Sequence, residues 1–116
     1  MIAKELLKGS LKSIVLKLLD ENGKMYGYEI TQKVKEISNG KISLTFGALY
    51  PILHKLENEG AVVTEKENVN NRVRVYYKLT EIGSNTAREK IKELEDFIET
   101  IRIIINPNPA LGLCTC

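Results

Sequence analysis

Cationic side chains alternate with apolar ones along the segment Arg72 to Leu79, RVRVYYKL. In a strand, successive side chains point to opposite faces, so Arg72, Arg74 and Lys78 should share one face with Tyr76. A row of such cations can bind nucleic-acid phosphates or enter a minor groove. A solvated edge strand that uses charge to prevent aggregation has the same pattern. The strand alone leaves both interpretations open.

A helix is predicted in the segment TFGALYPILHKLENEG, which runs from Thr45 to Gly60. Its leucines recur at helical spacing, Ser43 or Thr45 is placed to cap it, and Gly60 follows its end. Hydroxyls and free backbone N–H groups at its start suit phosphates or base edges, although capping alone also explains them. The exposed face and the approach to it should carry Lys41, Ser43, Thr45, Ala48, Tyr50, His54 and Lys55.

Pro51 lies inside this predicted helix, where a proline removes a backbone hydrogen bond at a cost of roughly 3 kcal/mol. Gly47 precedes it by one turn, so a slight bend can relieve the clash of the ring with the Gly47 carbonyl. Small residues here would also let the helix backbone approach a ligand closely. We expect Pro51 to set the angle between the first turn and the remainder of the helix.

Size and composition describe one ordinary soluble domain. The chain has 116 residues, 43% hydrophobic and 28% charged, with a formal net charge of +2. No apolar run is long enough to cross a bilayer, and the N-terminal cations are not segregated as in a signal peptide. These features predict a cytoplasmic protein that does not associate with membranes.

Few residues offer catalytic or metal chemistry. The chain has one histidine, His54, which we interpret as a surface residue, and it lacks a recognisable pairing of carboxylates. Cys114 and Cys116 form a CxC in the tail, a weak two-ligand site for a soft metal or a sensor of oxidants. We therefore expect no enzymatic activity, no catalytic residue, no cofactor and no resident metal.

The remaining periodicities predict the order of the elements. A helix begins after Ser10 and ends near Gly23, a second runs from about Tyr26 to Ser38, and its buried face includes Ile37. The predicted fold is mainly α with a small antiparallel β-hairpin, that is, a winged helix-turn-helix with a long C-terminal dimerisation helix. The expected divisions are a DNA-binding domain over 1–79, the dimerisation helix over 80–105 and a flexible tail over 106–116.

The last helix carries an apolar seam at heptad spacing. The seam could pack on its own domain, but the other elements already form a closed core, so pairing with a second copy is favoured. Leu6, Leu7 and Leu16 lie off the stripe of the first helix and are expected to add to this contact. The residues predicted for dimerisation are Leu6, Leu7, Ala87, Ile91, Leu94, Phe97, Ile98, Ile101 and Ile105, with Ile104 widening the seam.

Four motifs stand out along the chain: LKGSL from Leu7, MYGYEI from Met25, GALYPILHKLENEG from Gly47 and YYKLTEIG from Tyr76. Together they resemble the PadR family of bacterial and archaeal transcriptional regulators. The resemblance extends from about Leu6 to Gly83, and the short C-terminal part is similar to the smaller PadR-like members.

The resemblance implies a homodimeric winged-helix repressor that binds double-stranded DNA at a pseudo-palindromic operator and responds to a small hydrophobic effector. Its DNA-reading positions correspond to Ser43, Thr45, Tyr50, Arg72 and Arg74, with Tyr28 and Gln32 as additions from the second helix. Some members hold flat ligands between tryptophans, whereas this chain has no tryptophan. A winged-helix module used only for protein–protein interaction is the alternative.

Overall fold

A computed structural model describes residues 2–107 of the chain. Within this range the elements are α-helices and one antiparallel sheet, which confirms a mainly helical fold with a small sheet and a long C-terminal helix. The elements are α1 (Lys4–Lys8), α2 (Leu11–Asn22), β1 (Lys24–Tyr26), α3 (Gly27–Ile37), α4 (Phe46–Asn58), β2 (Val62–Val69), β3 (Arg72–Leu79) and α5 (Glu81–Ile105).

Helix α2 is the centre of the core because other elements cover it on two sides. It packs against α5 on one side and against β1, β3 and α4 elsewhere. Val15 and Leu16 are both fully buried. The expectation that Leu16 faces another subunit was therefore wrong, since a helix packed on two sides buries residues outside a single apolar stripe. Ser10 precedes α2, but its hydroxyl donates to the Leu7 carbonyl instead of capping the helix.

Helices α3 and α4 form the predicted helix-turn-helix. The predicted second helix begins one residue later than expected, at Gly27, because Tyr26 is extended and belongs to β1. Asn39 and Gly40 follow α3 with positive φ angles, as the Asn-Gly stop signal predicts. Ile37 was expected in the buried face and is instead 63% exposed, because it lies at the end of α3 beyond the core.

The sheet has three strands in the order β1-β3-β2, one more than the predicted hairpin. Met25 of β1 lies opposite Tyr77 of β3, and both side chains are buried. The hairpin of β2 and β3 turns at Asn70 and Asn71, whose φ angles are 51° and 64°. Two consecutive positive φ angles are those of a tight type I′ turn, so β2 continues to Val69, directly beside the turn, and β3 begins at Arg72 as predicted.

Helix α5 begins at the core. The Thr80 hydroxyl accepts a hydrogen bond from the Gly83 amide at 3.0 Å and donates one to the Gly60 carbonyl at 2.6 Å. A Cβ at Gly83 would overlap the carbonyl oxygen of Ala61, so only glycine permits this approach of α5 to the chain entering β2. Ala87, one turn further, is fully buried in the core of its own chain.

The position of Ala87 corrects one predicted dimerisation residue, because a side chain enclosed by its own domain has no surface left for a partner. It also places the first turns of α5 in the same core as α2, α3 and α4. No helix within residues 2–107 is both long and apolar enough to cross a membrane.

Substituting Gly83 by alanine should destabilise the fold by about 3 kcal/mol, because backbone must move to admit the methyl group. Gly47 provides the matched control, since it is also helical but open, with only the Thr45 hydroxyl within 4 Å of a built Cβ. Gly47→Ala should raise the free energy of unfolding by about 0.5–1 kcal/mol. Urea unfolding measures both changes, and a Gly83→Ala protein as stable as the parent would contradict this packing.

Candidate nucleic-acid interface

The first turn of α4 presents polar groups at the surface. Thr45 is the N-cap, and its hydroxyl oxygen accepts from the Ala48 amide at 3.2 Å. The hydroxyl proton remains available to a ligand, so capping and binding are compatible uses of this side chain. Ser43 and Gly47 are exposed beside it. Of the two predicted capping residues, Ser43 and Thr45, it is therefore Thr45 that caps α4.

Two lysines of α1 lie near this turn, and sequence reasoning did not select them. Lys4 and Lys8 border the same surface recess as Ser43, Thr45 and Gly47. Their spacing of one helical turn was the available signal. Lys41 is also exposed on the approach to α4, and its carbonyl accepts from the Ile2 amide at 2.8 Å, which fastens the N-terminal segment there.

A row of aromatic rings follows the exposed side of α4. The Tyr50 ring lies 5.7 Å from the Phe46 ring and 6.3 Å from the His54 ring, measured between centroids. Phe46 is 48% exposed and was not among the predicted residues, although it stands one turn before Tyr50. On the other side of α4, Leu49, Leu53 and Leu56 are fully buried. Pro51 is exposed, and α4 is continuous across it.

Tyr50 also joins α4 to the start of α3. A Cβ built on Gly27 would lie 2.6 Å from the Tyr50 hydroxyl oxygen and 3.0 Å from the ring carbon that carries it. Glycine at the first position of α3 therefore leaves the space that the phenol fills. The glycine of MYGYEI and the tyrosine of LYP are thus in contact, a pairing that their separate positions in the sequence do not reveal.

The hairpin of β2 and β3, which we call the wing, carries the predicted cations on the outer face of the sheet. Arg72 follows the turn directly and is exposed, and Arg74 is partly buried. On β2, Glu65 lies opposite Tyr76 and Glu67 opposite Arg74. Directly opposed residues project to the same face, so two carboxylates share the face with the arginines. Neither Glu65 nor Glu67 was predicted to lie on this face.

Lys24 of β1 compensates for the two glutamates. Its ammonium nitrogen lies 2.7 Å from a Glu67 oxygen and 3.2 Å from a Glu65 oxygen. The hydrogen bonds to Glu67 and then Glu65 raise the pKa of Lys24 above its ordinary value. With this pairing, the positive charges of Arg72, Arg74 and Lys78 remain in excess on the outer face.

Aromatic stacking holds Arg74 against the start of α3. Its guanidinium carbon lies 4.4 Å from the centroid of the Tyr26 ring. Tyr26 also makes an edge contact with Tyr76 at 5.4 Å and lies 6.4 Å from the ring of Tyr28. Tyr28 is 54% exposed, and Gln32 borders the same shallow recess as Tyr26 and Tyr28. The additions taken from the family resemblance therefore lie beside the wing.

These contacts connect the exposed side of α4 to the wing through the buried Gly27, and the two regions together form the candidate surface. The path of contacts begins at the first turn of α4, passes from Tyr50 to the backbone of Gly27, and reaches Arg74 through Tyr26. Ser43, Thr45, Tyr50, Tyr28 and Arg74 are brought together along this path. Arg72 lies at the wing tip and His54 lies one turn beyond Tyr50 along α4, so neither is on this path.

The predicted dimerisation residues divide into two groups. Ile91 packs against the core and Leu7 is partly buried there. Leu94 and Ile101 are also partly buried. The exposed group comprises Leu6 at 76%, Phe97 at 61%, Ile98 at 55% and Ile105 at 75%.

Two grooves flank the distal part of α5. One of about 440 Å³ lies between α2, the end of α3 and α5, and Ile37 and Ile98 border it. The other lies between α1 and α5, where Leu6 and Phe97 face it. The exposed seam of α5 is thus continuous with apolar surface on both of its sides.

Metal-binding groups do not assemble in the described part of the chain. Residues 2–107 contain no cluster of three or more histidine, cysteine, aspartate or glutamate side chains suited to a metal ion. Cys114 and Cys116 lie outside the described residues, so the CxC prediction stays a prediction.

The known proteins that this chain resembles include transcriptional regulators. Residues 15–89 match the Transcriptional regulator PadR-like family. The transcriptional regulator Rv3488 of Mycobacterium tuberculosis is 31% identical over 80 residues, which cover 69% of this chain and 72% of that protein. A transcriptional regulator from Clostridium thermocellum superposes with a TM-score of 0.78 at 26% identity, covering 88% of this chain and 96% of the other.

A PadR family transcriptional regulator from Eggerthella lenta has a TM-score of 0.75 at 27% identity, covering 90% of this chain and 88% of that one. The family match spans α2 to the first turns of α5, which are the elements that build the surface described above. The chain therefore belongs to the PadR-like family of transcriptional regulators.

Proposed function

We propose that this protein is a sequence-specific DNA-binding repressor that acts as a homodimer on a pseudo-palindromic operator. The observation that carries the proposal is the exposed surface of α4 and the wing, which the Tyr50–Gly27 and Tyr26–Arg74 contacts hold together. Regulators of transcription act at DNA, and this surface combines the helix and the cations that a duplex requires.

In the proposed complex, the first turn of α4 enters the major groove, which is about 12 Å wide. Gly47 and Ala48 let the helix backbone approach the bases, while Ser43, Thr45 and Lys41 bind phosphates or base edges. Tyr50 and His54 contact the duplex further along the helix. Lys4 and Lys8 add positive charge at the same end of α4, where phosphates are attracted.

The wing lies over the adjacent backbone. Arg72 at its tip reaches phosphates or the minor groove, and Arg74, two residues further along β3, approaches on the side of Tyr28 and Gln32. Because Tyr26 already orders the Arg74 guanidinium, less side-chain entropy is lost when Arg74 binds.

In the proposed dimer, the distal part of α5 forms the contact between the two subunits. Leu94, Phe97, Ile98, Ile101 and Ile105 form the seam. Phe97, Ile98 and Ile105 are exposed in one chain, and a second copy would cover them. Pairing of two such helices would place the two α4 helices about 34 Å apart, one turn of DNA. A small apolar effector would act on repression only by binding one dimer geometry more tightly than another.

Removing both wing arginines should weaken binding to every duplex sequence, because the lost contacts are to the backbone. For Arg72→Ala/Arg74→Ala we expect the slope of log affinity against log salt to flatten by about 2, at roughly 0.9 per lost phosphate contact. Fluorescence anisotropy with labelled duplexes measures both quantities. Arg88→Ala/Lys92→Ala removes the same charge from exposed positions of α5 and should bind as the parent does.

If the two double variants bound DNA equally well, the wing arginines would not be part of the DNA interface. If the parent protein bound no duplex even at low salt, a role in protein–protein interaction would replace the proposed function.

Gly47→Ala should separate stability from DNA binding. The methyl group favours the helix but stands where the proposed complex brings the backbone against DNA, so affinity should fall by about tenfold while stability rises. Asn85→Ala in α5 is the control, because it also replaces a poor helix former at an exposed position. A Gly47→Ala protein with unchanged affinity would exclude close approach at this turn.

Ile98→Glu should convert the dimer to a monomer in sedimentation at micromolar concentration, because it places a charge inside the seam. Ile103→Glu is the matched control, since Ile103 lies about 140° away around the helix. A parent protein that sediments as a monomer would refute the pairing, and so would equal dissociation by both variants.

A further inference from the structure

Lys24 makes an unusual connection across the outer face of the sheet. It belongs to β1, whereas its two acceptors, Glu65 and Glu67, belong to β2, and β3 lies between these strands. The ammonium group passes over β3 and lies 5.0 Å from the centroid of the Tyr76 ring. One cation thus holds two carboxylates of the wing at the side of β1.

The strand register gives Glu67 a second cation within reach. Glu67 lies directly opposite Arg74, a pairing in which side chains normally interact. In the structure the Glu67 carboxylate is bonded to Lys24, and the Arg74 guanidinium rests on Tyr26. None of the ion pairs formed among residues 2–107 includes Arg74.

We propose that Lys24 is a positioning residue that keeps Arg74 free for the DNA backbone by binding Glu65 and Glu67. This inference rests on the proposed DNA-binding function. Without Lys24, the Glu67 carboxylate would pair with Arg74, and Glu65 would face the phosphates unscreened. Either change opposes the approach of a polyanion.

Lys24, Glu65 and Glu67 are all well exposed, so a role of Lys24 in DNA binding can be distinguished from a role in folding. Lys24 is 40% exposed, and Glu65 and Glu67 are 45% and 43% exposed. Ion pairs at such positions contribute little to stability, so loss of Lys24 should leave the protein folded. Its effect should therefore be measured on DNA binding and on the environment of Arg74.

The experiment is a double-mutant cycle on binding to a mixed-sequence duplex at low salt. Lys24→Met alone should weaken affinity by about tenfold, a coupling typical of residues in one network. In the Glu65→Gln/Glu67→Gln background, the same substitution should change affinity by less than about twofold. Lys66→Met is the control, because Lys66 stands between the two glutamates in sequence but projects from the other face of β2. Its effect should be the same in both backgrounds.

Two binding outcomes would overturn the proposal. An equal loss in both backgrounds would mean that Lys24 contacts DNA itself, and no loss in either would mean that the glutamates do not compete for Arg74.

A second measurement, on the protein without DNA, tests the role of Lys24 independently of the proposed DNA-binding function. The Nε–H resonance of Arg74 should shift in Lys24→Met and should return towards the parent position when Glu67→Gln is added. An unshifted resonance would overturn the competition for Arg74 whatever the binding results. If no variant bound any duplex, the proposed function would fail together with the DNA role of Lys24, while the resonance would still report whether Lys24 restrains Glu67.

Discussion

The contact between the Tyr50 ring and the backbone of Gly27 is the constraint on which the candidate surface depends. Leucines on the other side of α4 fix that helix to the core, but a leucine face alone allows rotation and sliding against α3. The phenol removes this freedom because it fits only where Gly27 lacks a Cβ. Since Tyr26 and Tyr28 flank Gly27, the same contact sets the distance from α4 to the aromatic cluster that holds Arg74.

The wing shows why charge counted along a sequence differs from charge on a surface. RVRVYYKL alone is a row of cations, whereas the register of β2 and β3 brings Glu65 and Glu67 to the same face. Lys24, which belongs to the third strand, β1, pairs with both carboxylates. The field near the wing is therefore set by three strands together, and substitutions outside the wing can change it.

The elements that the sequence predicted well are those with long, uninterrupted periodicity. Helices α4 and α5 each begin at a capping threonine and keep one apolar stripe, and β3 alternates strictly, so their types and approximate ends follow from local pattern. Strand β1 was missed because three residues are too few to show alternation. Leu16 was misplaced because the stripe of α2 says nothing about a second covering surface. The Gly27–Tyr50 contact and the Lys24 pairs join distant segments, which a single sequence does not relate.

Helix α5 links the two halves of the proposed mechanism. Its first turns are fixed, because Gly83 lies against Ala61 and the Thr80 hydroxyl binds the Gly60 carbonyl at the end of α4. Its distal turns carry the exposed seam. A rigid helix that is joined to the recognition helix at one end and paired at the other would carry any change of dimer geometry directly to the spacing of the two α4 helices. Pro51 lies on the exposed side of a continuous α4, away from the leucines that anchor this helix, and its role in setting the angle of the first turn stays a prediction.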